Sequence, residues 1–348
     1  MNPFRRILFI RLSAVGDVIN TLPALGALRR GFPDAVIGYL VEDRTRDLIV
    51  NHPCVDKAHF FPRQRWDAMR RNPLKWPKML REVSDFSATL RHERYDVALD
   101  FQGNLKGAFH SILSAAPVRV GFGKGHSKEH NHLFTHRQVV PPAPILNRVD
   151  KFLSMVASLG APVEGARYEL PPAPESRARV EAYLAGQGLK TFAAIHPGTS
   201  DYGKAKRWMP ERFGAVAEHL GRRHRLGSLI TWGPGEKALA QSVVDASKGH
   251  ARLAMETGSL LDLAELVRPA RLFVGCDSGP LHLSSAVGTP SVALFGPKDP
   301  RVYAPWNPAS RVVKPGAPDA LVAMADIPVA AVTAAADELL ESRTAAVR

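Results

Sequence analysis

Cysteine and long apolar runs are both scarce in this sequence. The 348 residues include two cysteines, Cys54 and Cys276, which lie far apart and outside any metal-ligand spacing. A disulfide framework is therefore not predicted, which fits a reducing compartment. No apolar run approaches the length that crosses a bilayer, and the apolar residues 7–10 are too few for a signal-peptide core. We expect a cytoplasmic protein that starts with a buried strand.

The sequence also lacks the common nucleotide-binding fingerprints. No Walker-type Gly-Lys-Ser/Thr is present, and no Gly-x-Gly-x-x-Gly follows the first predicted strand. The histidines of residues 121–136 lack a clean metal spacing, so no metal site is predicted there. Typical P-loop and dinucleotide-binding proteins are therefore disfavoured.

Acidic residues are outnumbered by basic ones. Lys and Arg total 46 against 33 Asp and Glu, which gives a formal net charge of +13. Such a balance favours an anionic partner, which could be nucleic acid, a phosphorylated substrate or an anionic membrane surface. The charge alone does not choose among these partners.

Strands and helices alternate along the chain, and this alternation predicts an α/β fold with parallel sheets. The length suits two domains, and the stiff Pro171-Pro-Ala-Pro174 segment predicts the boundary between them. We expect a first domain over residues 1–172 and a second over 173–325. A terminal helix over 326–348 follows, for which packing back on the first domain is one expected arrangement.

Residues 272–282 combine a buried strand, a tight turn and the start of a helix. Pro280 suits the first helical turn because it has no N–H to leave unpaired. A strand that runs into a helix N-terminus presents unpaired N–H groups and the positive end of the helix dipole to an anion. The alternative interpretation is an ordinary turn in which Asp277 or Ser278 caps the helix.

Three further loops of the second half lie at carboxyl ends of predicted strands, where parallel sheets bind ligands. They are residues 196–208, residues 233–236 and the turn at Gly258. Together the four loops offer hydroxyls, cations and one carboxylate, which suit the phosphates and ribose of a nucleoside diphosphate. The contributing side chains are Thr199, Ser200, Lys204, Lys206, Arg207 and Glu236.

In the first half, Asp17 follows a glycine at the end of the first predicted strand. It could be a helix N-cap, or it could project into an interdomain cleft and take a proton from an acceptor hydroxyl. Arg11, Ser13 and the turn from Gln102 to Lys106 would line the same cleft.

Residues 63–81 form a basic segment with interleaved tryptophan, methionine and leucine. One interpretation is a solvated helical face. The other is a cationic, aromatic flap that meets an anionic, amphipathic partner at a membrane surface.

Several motifs together resemble the ADP-heptose:lipopolysaccharide heptosyltransferases. Each motif is weak alone, but their order and spacing are specific, and the resemblance runs from about residue 6 to about residue 308. The motifs are residues 15–25, 100–106, 196–198 with 206–208, and 275–282 with 295–297.

The resemblance implies a GT-B fold, in which two Rossmann-like domains with parallel sheets face each other across a cleft. It implies an inverting transfer of L-glycero-D-manno-heptose from ADP-heptose to the Kdo/heptose inner core of lipopolysaccharide, with no metal and no cofactor. Asp17 would be the catalytic base, while Arg11, Ser13, Gln102 and Lys106 would bind the acceptor. The donor would be bound by Thr199, Ser200, Lys204, Lys206, Glu236, Gly258, Asp277, Ser278, Gly279 and His282.

The implied partners are the nucleotide sugar, an anionic lipid-linked acceptor and the inner leaflet of the membrane, but not nucleic acid. The protein would lie in the cytoplasm at the inner membrane. Residues 15–25 and 39–42 resemble the enzyme that adds the first heptose, whereas residues 199–208 are more similar to the enzyme that adds the second. Two alternatives are transfer of another nucleotide-linked sugar to a different surface glycan, and a non-catalytic protein that binds a nucleotide sugar or nucleic acid.

Overall fold

The computed structural model describes residues 4–346 and, for residues 201, 202 and 343–346, the backbone alone. The chain divides into two compact units, Met1–Pro172 and Ala173–Arg348. In the described part of the chain, no helix is both long and apolar enough to cross a bilayer.

The first unit contains a parallel six-stranded sheet in the order β3-β2-β1-β4-β5-β6. Its strands are β1 (Arg6–Ile10), β2 (Val36–Glu42), β3 (Lys57–Phe61), β4 (Val97–Asp100), β5 (Val118–Phe122) and β6 (Arg137–Val139). Its helices are α1 (Val15–Gly31), α2 (Arg63–Arg70), α3 (Trp76–His92), α4 (Leu105–Leu113) and α5 (Arg148–Ala157), with short 3₁₀ helices at Asp43–Leu48, Pro73–Lys75 and Asn131–Phe134.

The second unit repeats this arrangement with the strand order β12-β11-β10-β7-β8-β9. Its strands are β7 (Ala193–His196), β8 (Ser228–Ile230), β9 (Ala251–Leu253), β10 (Leu272–Cys276), β11 (Ser291–Leu294) and β12 (Ser310–Val313). Its helices are α6 (Pro174–Gly186), α7 (Pro210–His224), α8 (Lys237–Ala246), α9 (Leu260–Val267), α10 (Gly279–Ala286), α11 (Pro300–Tyr303) and α12 (Val329–Ala346), with 3₁₀ helices at Asp201–Lys206 and Met324–Asp326.

Both sheets have the doubly wound order in which the first and fourth strands of the unit are neighbours. In the first unit Ile10 of β1 lies beside Asp100 of β4. In the second unit His196 of β7 lies beside Gly275 of β10. The chain winds in opposite directions from these two strands, which leaves a crevice beyond their carboxyl ends where such folds bind ligands.

The central strands are apolar because helices cover both faces of each sheet. β1 and β10 are almost completely buried, and the apolar runs that identify them in the sequence form the middle of each core. Trp208 is buried in the core of the second unit and donates its indole N–H to the Ile327 carbonyl at 3.1 Å.

Helix α12 packs on the second unit, against α7 and strands β10, β11 and β12. Its apolar stripe, which includes Val332, Ala336, Leu339 and Leu340, is buried in the core of that unit. The helix is therefore part of that unit rather than a separate terminal segment. The expected packing of this helix back on the first domain stays a prediction.

Residues 63–81, which the sequence suggests are a solvated helical face or a cationic, aromatic flap, span more than one element. The chain there forms α2, a 3₁₀ turn and the start of α3. Trp66 and Met69 are buried, and Trp66 packs edge-on against Phe61 and Phe86. Only part of the segment, around Leu74 and Leu80, exposes apolar side chains.

Candidate active site

The loop after β1 leads directly into helix α1, where Asp17 is the third residue. The interpretation of Asp17 as the N-cap is wrong, because Ala14 occupies that position and makes no side-chain capping bond. A carboxylate in the first turn is stabilised by the positive end of the helix dipole. Asp17 is partly exposed, with a quarter of its side chain accessible (25%).

Two arginines hold the Asp17 carboxylate, one on each oxygen. Arg11 forms an ion pair with Oδ2, and Arg148 of α5 lies 3.3 Å from Oδ1. Arg11 is buried and also donates to the Phe101 carbonyl at 2.6 Å. Burial lowers the pKa of Arg11, and the charge of Asp17 opposes that shift. The pairing with Asp17 therefore compensates the buried Arg11 cation.

The loop after β4 braces the same region of the first unit. The Gln102 side-chain oxygen accepts hydrogen bonds from the backbone N–H groups of Leu12 and Ser13, at 3.1 and 3.3 Å. Asp100 is fully buried and accepts from the backbone of Gln102 and Gly103. Burial raises the pKa of Asp100, although these bonds work against the shift. Gln102 thus joins the two loops at the switch point.

Further cations surround this region of the first unit. Lys106 is half-buried in the first turn of α4. Lys151, one turn along α5 from Arg148, donates to the His126 carbonyl at 2.6 Å and lies over the Phe122 ring. Burial and the neighbouring Arg148 lower the pKa of Lys151 to about 8. The site is thus suited to an anionic ligand.

In the second unit, the loop after β7 closes around Glu236. A Cβ on Gly198 would lie 2.2 Å from the Glu236 carboxylate, so a side chain there would displace it. The Glu236 carboxylate accepts from the Gly233 N–H at 3.0 Å and lies 3.6 Å from Arg207. His196 is buried, bonds Thr231 at 3.0 Å, and lies 3.6 Å from Glu236. Burial lowers the pKa of His196 to about 4, so it is neutral near pH 7.

Arg207 holds the loop after β7 in place through its contact with Thr199. Its guanidinium donates to the Thr199 hydroxyl at 3.1 Å, and that hydroxyl donates to the Gly203 carbonyl at 2.8 Å. Thr199 is therefore buried within the loop, whereas Ser200 and Lys204 are exposed on it. The loop presents these two residues from a fixed backbone.

The loop after β10 carries a second charged group. Lys206 donates to the Asp277 carbonyl at 2.7 Å and to its carboxylate at 2.9 Å. His282, in the first turn of α10, lies 3.7 Å from the same carboxylate. Burial raises the pKa of Asp277, but His282 and Lys206 outweigh it and the pKa is lowered overall. Asp277 is therefore an anion that positions a lysine at the N-terminus of α10.

Ser278 is the N-cap residue of α10, yet its side chain makes no capping bond. Its hydroxyl oxygen is buried and has no hydrogen-bond partner. The interpretation in which Asp277 or Ser278 caps this helix through its side chain is therefore wrong. Ser259, by contrast, caps α9 by accepting from the Asp262 N–H at 3.0 Å, and the Gly258 N–H donates to Asp262.

The sequence-predicted residues thus fall into two groups, one in each unit. Arg11, Ser13, Asp17 and Gln102 meet at the first switch point, and Lys206, Asp277, Ser278 and His282 meet at the second. Sequence reasoning missed Arg148 as a partner of Asp17. No local signal pointed to this pair, because the two residues lie far apart in the sequence and meet only in the fold.

Two doubly wound units, each with charged loops at its switch point, define the two-domain α/β fold of GT-B glycosyltransferases. The fold is similar to that of a solved structure of E. coli heptosyltransferase WaaC with ADP, with a TM-score of 0.78 at 21% identity over 96% of this chain and 99% of that chain. The family model described as glycosyltransferase family 9 (heptosyltransferase) matches residues 83–320. The chain belongs to that family and is a glycosyltransferase.

Relatives in this family extend over most of the chain. Lipopolysaccharide heptosyltransferase 1 of Escherichia coli strain K12 is 27% identical over 306 residues, which cover 85% of this chain and 89% of that protein. Lipopolysaccharide heptosyltransferase 3 of Escherichia coli is 26% identical over 302 residues, which cover 84% of each. Both are lipopolysaccharide heptosyltransferases by name, so the expected family is confirmed.

Proposed function

We propose that this protein transfers L-glycero-D-manno-heptose from ADP-heptose to the inner core of lipopolysaccharide, with inversion at the anomeric carbon. Membership of the heptosyltransferase family sets the reaction class. The observation that carries the residue assignment is the pair of charged groups at the two switch points. One is a carboxylate held by two arginines, and the other is a lysine held at a helix N-terminus.

The second unit supplies the donor side of the proposed reaction. Lys206, the N-terminus of α10 and the unpaired Ser278 hydroxyl offer donors to the two phosphates. Lys204 and Ser200 extend this surface from the neighbouring loop. Glu236, fixed by the Gly233 N–H, is the carboxylate assigned to the ribose hydroxyls. Removal of one such donor from a developing anion typically costs about 3–4 kcal/mol in transition-state stabilisation.

Asp17 of the first unit is the proposed base. The acceptor hydroxyl oxygen forms a bond to the anomeric carbon as the bond from that carbon to the diphosphate oxygen breaks. The electron pair leaves with ADP, and Asp17 takes the hydroxyl proton. Arg11 and Arg148 hold the two oxygens of this carboxylate. Because a carboxylate is a weak base, proton transfer is favoured late, after the attacking oxygen has become acidic.

The test is product analysis with ADP-heptose and two acceptors, one that bears Kdo alone and one that already carries heptose. Transfer to the first acceptor alone assigns addition of the first heptose, and transfer to the second alone assigns a later addition. A panel of ADP- and GDP-linked sugars tests the donor. Absence of heptose transfer to both acceptors, together with turnover of a different nucleotide sugar, would reject the proposal.

We also propose that the first unit contacts the anionic membrane surface that holds the acceptor lipid. Leu74 and Leu80 are 91% and 64% exposed. Exposed basic residues surround them, namely Arg70, Arg71, Lys75, Lys78 and Arg81. Exposed apolar side chains with flanking cations are typical of surfaces that bind anionic lipids.

Vesicle co-sedimentation tests this contact. The double variant Arg70→Glu/Arg71→Glu should bind phosphatidylserine-containing vesicles more weakly than the native protein, while turnover of a soluble, delipidated acceptor stays unchanged. The matched control is Lys190→Glu/Arg271→Glu, which reverses two exposed charges on the second unit. Equal vesicle binding by all three proteins would leave residues 63–81 as a solvated face.

A further inference from the structure

Two histidines and an aspartate converge where the end of α7 meets α12. The Nε2 atoms of His219 and His224 lie 2.8 and 2.6 Å from the same oxygen, Oδ1 of Asp337. Within the described residues, this is the one group of three metal-ligating side chains whose ligand atoms all lie within 4.8 Å of one another. None of the three residues belongs to the proposed donor or acceptor sites.

The Asp337 carboxylate of this cluster is held in place through its second oxygen. Arg223 approaches the other carboxylate oxygen of Asp337, Oδ2, at 3.2 Å and also pairs with Glu341 at 2.9 Å. Arg223 therefore orients the carboxylate and leaves Oδ1 directed at the two imidazoles. A ligating carboxylate is commonly held in this way by a hydrogen bond to its second oxygen. All three side chains are partly buried.

We propose that His219, His224 and Asp337 bind a divalent transition metal, with Zn²⁺ as the best match. Two imidazoles and one carboxylate are a zinc ligand set, and water completes a tetrahedron at a partly exposed site. Each ring then carries its proton on Nδ1, which leaves the Nε2 lone pair for the metal. Tetrahedral zinc separates its ligand atoms by about 3.3 Å, so the distances from Asp337 Oδ1 to the His219 and His224 Nε2 atoms would lengthen by about 0.5 and 0.7 Å.

The ion would be structural rather than catalytic. Helix α7 begins beyond the carboxyl end of β7 and returns along the sheet, so His224 lies at the opposite edge from the loops assigned to the donor. The ion would join the last turn of α7 to α12, the final helix of the chain. It would add to the apolar packing of Val332, Ala336 and Leu340.

Tag-free protein, stripped of metal by a chelator and dialysed, tests the proposal. We expect one Zn²⁺ per chain by calorimetry and a rise of several degrees in Tm on Zn²⁺ addition, because ligands that bind only the folded state stabilise it. Mg²⁺ should have no such effect, because it prefers oxygen ligands. The variants His219→Asn and His224→Asn should each lower Zn²⁺ affinity at least about 10-fold.

The matched control removes two histidines elsewhere. His130 and His132 lie in a loop of the first unit with ring centroids 6.1 Å apart. The double variant His130→Asn/His132→Asn should retain both the stoichiometry and the Tm shift. Either absence of Zn²⁺ binding by the native protein, or an equal Zn²⁺-dependent Tm shift in the His219 and His224 variants, would overturn the proposal. The cluster would then be a hydrogen-bonded His–Asp–His group alone.

Discussion

Asp17 is the residue on which the proposed chemistry depends most directly. The Asp17→Asn variant keeps an oxygen that can accept from Arg11 but has lost its basicity. We expect kcat to fall about 10²–10⁴-fold, the usual range for loss of a positioned base. The dissociation constant for ADP-heptose should change little, because the residues assigned to the donor lie in the second unit. Steady-state kinetics and calorimetry measure the two quantities.

The control for this variant is Asp34→Asn, which neutralises an exposed carboxylate of the first unit. Its activity should equal that of the native protein. A thermal melt of Asp17→Asn shows whether the buried Arg11 still has an adequate partner. Native kcat in a folded Asp17→Asn variant, or loss of nucleotide binding, would contradict the role assigned to Asp17.

Gly198 is the residue whose missing side chain shapes the donor loop. The Gly198→Ala variant would drive a methyl group into the Glu236 carboxylate, so that carboxylate must leave its bond with the Gly233 N–H. We expect ADP affinity to fall about 10-fold or more, a cost of roughly 1.4 kcal/mol. Calorimetric titration with ADP measures it. Gly186→Ala, where a Cβ meets nothing within 4 Å, is the matched control and should bind ADP normally.

The sequence predicts the individual residues of the site better than it predicts which residues they contact. A glycine before Asp17 and a proline after Gly279 mark turns and helix starts, which are local signals. The contact between Asp17 and Arg148 joins residues far apart in the chain, as does that between Lys206 and Asp277. Such pairs arise from the fold, so local patterns could not predict them.

The N-cap serines of helices α9 and α10 differ in their hydrogen bonds. We therefore expect the first to contribute to stability and the second to ligand binding. Ser259 caps α9 through its hydroxyl, whereas the Ser278 hydroxyl at the start of α10 has no partner. Ser259→Ala should lower the free energy of unfolding by about 1 kcal/mol and leave ADP binding unchanged. Ser278→Ala should weaken ADP binding and leave the free energy of unfolding unchanged. Urea unfolding and ADP titration of both variants would distinguish them.

If Ser278→Ala destabilised the protein as much as Ser259→Ala and left ADP affinity unchanged, the Ser278 hydroxyl would be a structural group. The two variants are matched, since each removes one hydroxyl from the N-cap of an eight-residue helix in the same unit.

The elements that the sequence predicts best are the buried ones. Strands β1 and β10 are apolar runs covered by helices on both faces, so their composition reveals them. Edge strands β6, β9 and β12 escaped prediction because they are short and mix arginine or glutamine with apolar residues. Pairing along the sheet, rather than composition, makes these segments strands.

The whole molecule should lose stability in acid because each unit buries a neutral histidine. Burial lowers the pKa of both His110 and His196 to about 4, from an ordinary value near 6.5. A histidine whose pKa is lower in the folded state makes its full contribution to the free energy of unfolding above its unfolded pKa. This contribution is lost as the pH falls from the unfolded pKa toward the folded pKa. Each should therefore remove about 2 kcal/mol from the free energy of unfolding between pH 8 and pH 5.

The variant His110→Gln isolates one of these contributions. Its free energy of unfolding should fall by about 2 kcal/mol less than that of the native protein over the same interval. Urea titrations at pH 8 and pH 5 measure the difference. The exposed His92→Gln variant should follow the native pH dependence. An unchanged pH dependence in His110→Gln would mean that His110 is already protonated in the folded state near pH 5.

Each of the two units assembles its charged group from its own residues. The partners described for Asp17 precede Pro172, those described for Lys206 follow it, and α12 packs on the second unit. A single crossover at the Pro172–Ala173 junction would therefore exchange one group intact without the other. Recombination between members of the family could in this way join the proposed donor group of one protein to the proposed acceptor group of another, and a designed chimaera could use the same junction.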